Sequence, residues 1–133
     1  MADAAVTDTH ALLFHTSSAP AIGRRAAGHF EACEAQQAIV YVPAAVVWEV
    51  AVLARTRRAI LRTSVREYFD HVFSNPCFQF LDLTAAQIVD ASELGFTRDP
   101  FDGLIVAAAR SLDLPLITRD EAIRTSGAVR VLW

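Results

Sequence analysis

The sequence contains no lysine, and all 12 of its basic residues are arginines. Its 15 acidic residues leave a formal net charge of −3 at pH 7, which argues against a protein that coats nucleic acid through bulk positive charge. Haloacid-dehalogenase-like phosphatases and phospho-acceptor receiver domains, two α/β classes with a carboxylate after the first strand, both depend on a lysine. The absence of lysine therefore disfavours both classes.

Cysteine is also scarce, and its positions show no metal-binding or disulfide pattern. Cys33 and Cys77 are the only cysteines, and neither belongs to a C-x-x-C motif or to a cluster of cysteine and histidine. The sequence predicts two reduced thiols in the cytosol rather than a disulfide framework or a zinc site.

The sequence also lacks the features of a targeting or membrane segment. Residues 1–10 contain no lysine or arginine, so they lack the charged start of a secretory signal. The longest uncharged apolar stretch, residues 38–48, is well short of the roughly 20 residues that span a bilayer. We expect a cytoplasmic protein that does not enter the membrane.

Short apolar runs alternate with helix-length segments along the whole chain. The runs without helical periodicity are predicted to be strands, namely residues 4–7, 39–42, 78–81, 114–117 and 129–132. A capping box of Thr84 and Gln87 predicts the start of a helix that ends near Gly95. The alternation predicts one α/β domain over residues 1–133, a three-layer sandwich with a central, mostly parallel sheet of four to five strands flanked by helices.

Acidic residues occur where a ligand crevice is expected, because open parallel sheets bind ligands at the carboxyl ends of their strands. Asp8 follows the first strand, and Asp120 follows the fourth. Asp102 lies in the first turn of a helix whose start is marked by Asp99 and Pro100. Taken singly, Asp8, Asp99 and Asp120 could each be helix caps, and Asp102 could be a favourable acid near a helix N-terminus.

Glu49 lies within an almost wholly apolar helical segment, residues 44–53. A lone carboxylate there is costly unless it is exposed, paired or bound to a metal. Glu49 could therefore lie in a narrow solvated strip, pair with an arginine such as Arg55, or be a ligand. Its neighbour Trp48 is expected in the core rather than on a surface that stacks bases.

The four acids Asp8, Glu49, Asp102 and Asp120 together indicate a metal site. Carboxylates that gather in one place repel one another and raise at least one pKa unless a divalent cation compensates. An all-oxygen set without cysteine or paired histidine suits Mg²⁺ or Mn²⁺ better than Zn²⁺. Such ions can bind and polarise a phosphodiester and supply a hydroxide, so the set predicts phosphodiester hydrolysis.

In these motifs the sequence resembles the PIN-domain ribonucleases, and within them the VapC-like toxins of bacterial toxin–antitoxin modules. The matching segments run through the chain in the family's order: Thr7–Leu13, Glu49 after the second strand, Asp99–Asp102 followed by Ile105–Arg110, and Leu116–Asp120. One departure is Gly103, which stands where many relatives carry an arginine.

This resemblance implies a Mg²⁺- or Mn²⁺-dependent endoribonuclease whose catalytic residues are Asp8, Glu49, Asp102 and Asp120. We expect Asp8 and Asp102 to be the most direct metal ligands. Asp99 would be an accessory position, and Thr118 and Thr9 would be hydroxyls that orient carboxylates or water. The resemblance also implies an RNA substrate, a homodimer and a cognate antitoxin protein. A PIN-like module that binds RNA or a protein with weak catalysis is the alternative.

An arginine-rich segment follows the helix that carries Glu49. Its members could guide RNA phosphates toward the acidic crevice, and they are Arg55, Arg57, Arg58 and Arg62. The alternative is an ordinary solvated helix surface. His10 lies close to Asp8 in sequence, and we expect it to have a structural role.

Overall fold

The computed structural model of the protein describes residues 3–133, so Met1 and Ala2 of the predicted domain lie outside the described residues. A central sheet is formed by strands β1 Asp3–Thr7, β2 Ala38–Pro43, β3 Phe78–Leu81, β4 Leu116–Ile117 and β5 Val131–Leu132. All neighbouring strands pair in parallel, in the order β3-β2-β1-β4-β5. The predicted α/β class is confirmed.

The helices connect these strands and flank the sheet. They are α1 Thr9–Thr16, α2 Arg24–Glu34, α3 Ala44–Arg55, α4 Val65–Phe73, α5 Ala85–Glu93, α6 Pro100–Leu112 and α7 Glu121–Ser126. Among the described residues, no helix has the length and apolar character needed to cross a membrane.

The strand order places a topological switch point beside β1. The chain passes from β1 to β2 on one side, whereas β4 pairs with β1 on the other side. In open α/β sheets the ligand crevice forms at such a point, outside the carboxyl ends of the strands. The segments that follow β1 and β4 therefore meet where a ligand is expected.

The last two strands are shorter than the sequence pattern predicts. The strand predicted over residues 114–117 comprises only Leu116 and Ile117, because Leu114 N–H donates to the Ala109 carbonyl at 3.1 Å and belongs to the end of α6. Pro115 has no N–H to donate, although its carbonyl accepts from Val6 N–H at 2.9 Å. The strand predicted over residues 129–132 comprises only residues 131–132.

The predicted capping box at the start of α5 is half formed. The Thr84 hydroxyl accepts from Gln87 N–H at 3.2 Å, as expected of an N-cap. The buried Gln87 side chain does not return to Thr84 but donates to the Ser111 hydroxyl at 3.4 Å. It therefore joins α5 to α6.

The core lies on both faces of the sheet. Its largest fully buried strand residues are Val6, Val40, Val42, Leu116 and Ile117. On the helices, Phe30 is fully buried and its ring stacks on His15 with centroids 4.5 Å apart. These contacts fix the strands whose ends carry the acidic residues.

Gly103 is buried in α6, and a methyl group fits there. A Cβ at this position would lie 3.7 Å from the Ala91 carbonyl oxygen, an ordinary contact. Because glycine costs a helix interior up to about 1 kcal/mol relative to alanine, Gly103→Ala should raise the free energy of unfolding by about 0.5–1 kcal/mol. Urea denaturation measures this change.

Gly23→Ala is the matched control for that substitution. A Cβ at Gly23 would lie 2.6–2.7 Å from atoms of Trp133, so this variant should be less stable than the parent. Equal destabilisation by both substitutions would show that α5 and α6 pack more tightly than the structure describes.

Candidate active site

Asp8 lies at the switch point of the sheet and also caps a helix. It directly follows β1, and its N–H donates to the Ile117 carbonyl at 3.1 Å. Its Oδ1 accepts from Ala11 N–H at 2.8 Å, which caps α1. The cap uses Oδ1 and leaves Oδ2 free of capping bonds, so capping and ligand binding by Asp8 are compatible.

Asp120 repeats this arrangement after β4. Its Oδ1 accepts from Ile123 N–H at 2.9 Å and caps α7. The buried Thr118 hydroxyl accepts from Asp120 N–H at 3.1 Å, so Thr118 fixes the turn between β4 and α7. Thr118 is also close enough to the Asp8 carboxyl to lower its pKa by a hydrogen bond. The β1 and β4 ends are thus linked.

Glu49 reaches the same region from α3. The buried Thr9 hydroxyl donates to Glu49 Oε1 at 2.5 Å, and this bond joins α3 to the first turn of α1 beside Asp8. A pairing of Glu49 with Arg55 is wrong, because the Arg55 guanidinium instead lies 5.6 Å from the centroid of the Trp48 ring. Glu49 is only partly exposed.

Asp102 enters the site from the first turn of α6. Asp99 caps this helix, since its Oδ1 accepts from Phe101 N–H at 2.8 Å and from Asp102 N–H at 3.2 Å, and Pro100 occupies the first turn. The cap that the sequence predicts for Asp99 is confirmed. The Asp102 side chain is not needed for capping.

The electrostatics show that these acids influence one another. The pKa of Asp102 is raised from an ordinary value of 3.8 to about 7, and burial is the largest cause. Four negative charges contribute the rest of this increase, and in decreasing order they belong to Asp99, Asp120, Glu49 and Asp8. The carboxyl groups of Asp8, Glu49, Asp102 and Asp120, which are far apart in sequence, are therefore close enough for their charges to interact.

The pKa of Asp8 is also raised. Burial is the main cause that raises its pKa, and the Glu49 charge adds a smaller increase. Hydrogen bonds from Thr118 and from Ala11 N–H, together with the charge of His10, lower its pKa. Two neighbouring carboxyl groups thus hold protons more tightly than usual, which is the condition that a divalent cation relieves.

The oxygen atoms of these side chains suit a hard cation, although the side chains are not yet close enough together to coordinate one. Every carboxyl and hydroxyl group in the crevice offers oxygen, the ligand atom that Mg²⁺ and Mn²⁺ prefer. Within residues 3–133, no three side chains of histidine, cysteine, aspartate or glutamate are near enough to one another to hold an ion as placed. An ion would therefore have to draw the carboxylates inward.

The arginine-rich segment lies beyond the end of α3. All four of its predicted RNA-binding arginines are exposed, and none forms an ion pair in the part of the chain that the structure describes. Arg55 and Arg57 line a cavity of about 500 Å³ between α3 and α4. Exposure is consistent both with RNA binding and with a solvated surface, so the assignment stays a prediction.

Trp48 corrects one expectation from the sequence. It was expected in the core, but 55% of its surface is exposed and it packs against the Arg55 side chain. The apolar helix α3 buries Val46, Val50 and Leu53 instead. The α3 surface is therefore more apolar than its amphipathic pattern suggests.

A family model for the PIN domain matches residues 5–127, which includes all four acids. The chain belongs to the PIN domain family. The resemblance drawn from the sequence motifs is thereby confirmed.

Solved structures share the PIN fold over nearly the whole chain. A chain of VapBC2 from Rickettsia felis, bound to a DNA fragment from their promoter, has a TM-score of 0.71 at 14% identity, with 96% of each chain covered. A chain of a toxin–antitoxin complex from Klebsiella pneumoniae has a TM-score of 0.64 at 22% identity, with 97% of this chain and 96% of that chain covered. A chain of FitAcB from Neisseria gonorrhoeae has a TM-score of 0.63 at 18% identity, with 95% of this chain and 94% of that chain covered. No curated protein sequence matched this PIN chain.

Proposed function

We propose that this PIN-domain chain is a Mg²⁺- or Mn²⁺-dependent endoribonuclease. The observation that carries the proposal is the match of the PIN domain family model to residues 5–127, which contain Asp8, Glu49, Asp102 and Asp120, together with the action of the Asp99, Asp120, Glu49 and Asp8 charges on the partly buried Asp102. A crevice that concentrates negative charge in this way needs a compensating cation before it can accept a phosphodiester. Membership of the PIN domain family supports the same chemistry.

In this proposal Asp8 and Asp102 hold the metal, and Glu49 and Asp120 orient water. The ion, when bound, polarises the phosphorus and promotes deprotonation of a water molecule. Asp8 and Asp102 suit direct binding because their pKa values are raised. Their ionised forms are therefore the ones that a bound cation stabilises most. The Thr9 hydroxyl orients Glu49, the Thr118 hydroxyl orients the turn that carries Asp120, and Asp99 holds α6 in place through its cap.

We further propose that the enzyme is the toxin of a toxin–antitoxin pair. Its fold is that of chains in VapBC2 and in the Klebsiella pneumoniae toxin–antitoxin complex. A cognate antitoxin, a homodimeric state and a cytoplasmic location belong to this proposal. The exposed Trp48 and Ile60, the latter 92% exposed, are apolar surface for such contacts. Arg55, Arg57, Arg58 and Arg62 are proposed to attract the RNA backbone.

The nuclease proposal is tested by cleavage of structured RNA with purified protein. We expect cleavage with Mn²⁺ or Mg²⁺ and its complete loss when EDTA removes the ion, because the carboxylates then repel the phosphodiester. Ca²⁺ provides a matched control for charge alone. If the protein binds RNA but cleaves none of it with Mn²⁺, Mg²⁺ or Ca²⁺, the alternative of a PIN-like binding module is favoured.

The toxin proposal has its own experiment. Expression of the parent chain in a host should arrest growth, and co-expression of the neighbouring antitoxin gene should relieve the arrest. Harmless expression of a folded parent that cleaves RNA in vitro would contradict toxicity and leave the nuclease proposal intact.

A further inference from the structure

A group of aromatic and cationic side chains at the carboxyl edge of the sheet is not used by the proposed chemistry. The Arg119 guanidinium lies 4.8 Å from the centroid of the Phe14 ring. Phe14 also contacts Trp133 edge-on, with centroids 6.4 Å apart, and its ring is 6.4 Å from that of His10. We call His10, Phe14, Arg119 and Trp133 the aromatic–arginine cluster.

The topology places this cluster beside the acidic crevice. Arg119 lies between Thr118 and Asp120 after β4, and Trp133 follows β5 at the same edge of the sheet. Phe14 lies on α1, which begins next to Asp8, so at 1.5 Å per helical residue it is about 9 Å along the axis from that acid. The cluster therefore lies at the same end of the strands as Asp8 and Asp120.

Arg119 is free to bind an external anion. It is exposed, and in residues 3–133 it forms no ion pair, whereas Arg110, Arg124 and Arg130 each approach a carboxylate. Its guanidinium lies over the face of the Phe14 ring, a contact that favours this position of the side chain without using its hydrogen-bond donors. A guanidinium without a carboxylate partner next to the proposed nuclease site suits a phosphate.

We propose that the aromatic–arginine cluster is a substrate subsite in which Arg119 binds a backbone phosphate of single-stranded RNA and Trp133 and His10 contact the adjacent base. The inference rests on the proposed function and names the form of RNA that the site accepts. Single-stranded RNA is favoured because a base must be unstacked before it can pack against aromatic side chains. Phe14 is a positioning residue that holds Arg119.

The experiment measures binding without cleavage. A labelled oligouridylate is titrated with the protein at several salt concentrations and a fixed concentration of Ca²⁺, which compensates the charge of the carboxylates, and log K is plotted against log salt. Arg119→Gln should weaken binding severalfold and reduce the slope by about 0.7, the value for one phosphate contact on a single strand. Arg130→Gln, which removes an exposed arginine from the opposite edge of the sheet, should leave the slope unchanged.

Two further variants separate the roles within the cluster. Phe14→Leu keeps the charge, so it should weaken binding with the parental slope, and adding it to Arg119→Gln should cost little more. In a Trp48→Phe background Trp133 is the only tryptophan, and oligouridylate should quench its fluorescence. The same oligouridylate annealed to oligoadenylate as a duplex should quench it much less.

The outcomes distinguish this proposal from the nuclease assignment. If the folded Arg119→Gln variant shows the parental slope of log K against log salt, the subsite is overturned. The nuclease assignment still stands in that case if the parent cleaves RNA with Mn²⁺. If instead the variant's slope falls by about 0.7 but the parent cleaves no RNA, the subsite is supported and the nuclease assignment is overturned. Unquenched Trp133 fluorescence at saturation overturns the contact with the base.

Discussion

Asp102→Asn is expected to lower Mn²⁺-dependent RNA cleavage by at least about a hundredfold, because an ion held by this carboxylate supplies several kcal/mol of transition-state stabilisation. Asparagine has nearly the same shape as aspartate. The cap of α6 is made by Asp99, so the helix should persist in the variant. Initial rates on a labelled RNA measure the effect, and circular dichroism verifies the fold.

Asp70→Asn is the matched control for the loss of one acid. Asp70 is exposed on α4 and forms no ion pair within the described part of the chain, so its variant should cleave at the parental rate. Asp8→Asn should lose activity as Asp102→Asn does. Cleavage by Asp102→Asn at the parental rate in saturating Mn²⁺ would show that this residue does not hold the ion.

The sequence predicts the sheet well because buried parallel strands and amphipathic helices have different periodicities. Phe78–Leu81 was predicted with its observed bounds. The errors fall at the short strands around Pro115, where a proline carbonyl pairs with β1 although the residue cannot donate. Strand length there depends on a partner strand more than 100 positions away, which no local pattern contains.

The candidate site shows a different limit. An aspartate at a strand-to-helix turn can be a helix cap or a metal ligand, and the sequence alone does not distinguish the two. Asp8 and Asp120 are both helix caps. What the sequence could not supply is the proximity of these caps to Asp102 and Glu49, which depends on the crossover between β1 and β4. The signal that made the grouping predictable was the recurrence of acids after strands rather than any one acid.

Side-chain environment at the surface was the least predictable property. Trp48 was assigned to the core because of its apolar neighbours, but the face of α3 that it occupies is not covered by another element in the described chain. The contact of Arg119 with Phe14 joins segments about 100 residues apart, so no local sequence pattern indicates it. The position of Arg119 between Thr118 and Asp120 was the one available signal.

Stability without metal should fall as the pH rises, because the pKa of Asp102 is raised from 3.8 to about 7 by folding. Between these values the folded chain keeps a proton that the unfolded chain has lost, so the contribution is complete below pH 3.8 and is lost as the pH passes 7. The full shift corresponds to about 4 kcal/mol. Since solvent screens this half-exposed group, about 2 kcal/mol is the expected loss.

Urea denaturation in EDTA at pH 5 and pH 8 measures the part of that loss that falls between these pH values, and Asp102→Asn is its control. Because asparagine does not titrate, the variant should lose less stability than the parent between these pH values, and at pH 8 it should be the more stable of the two. Mg²⁺ or Mn²⁺ should raise the free energy of unfolding of the parent at pH 8, because a bound cation favours the ionised carboxylates. The same ions should change the free energy of unfolding of the variant only a little. Equal pH dependence in both proteins would mean that the repulsion among the carboxylates is relieved by solvent, and the crevice would then have no electrostatic requirement for an ion.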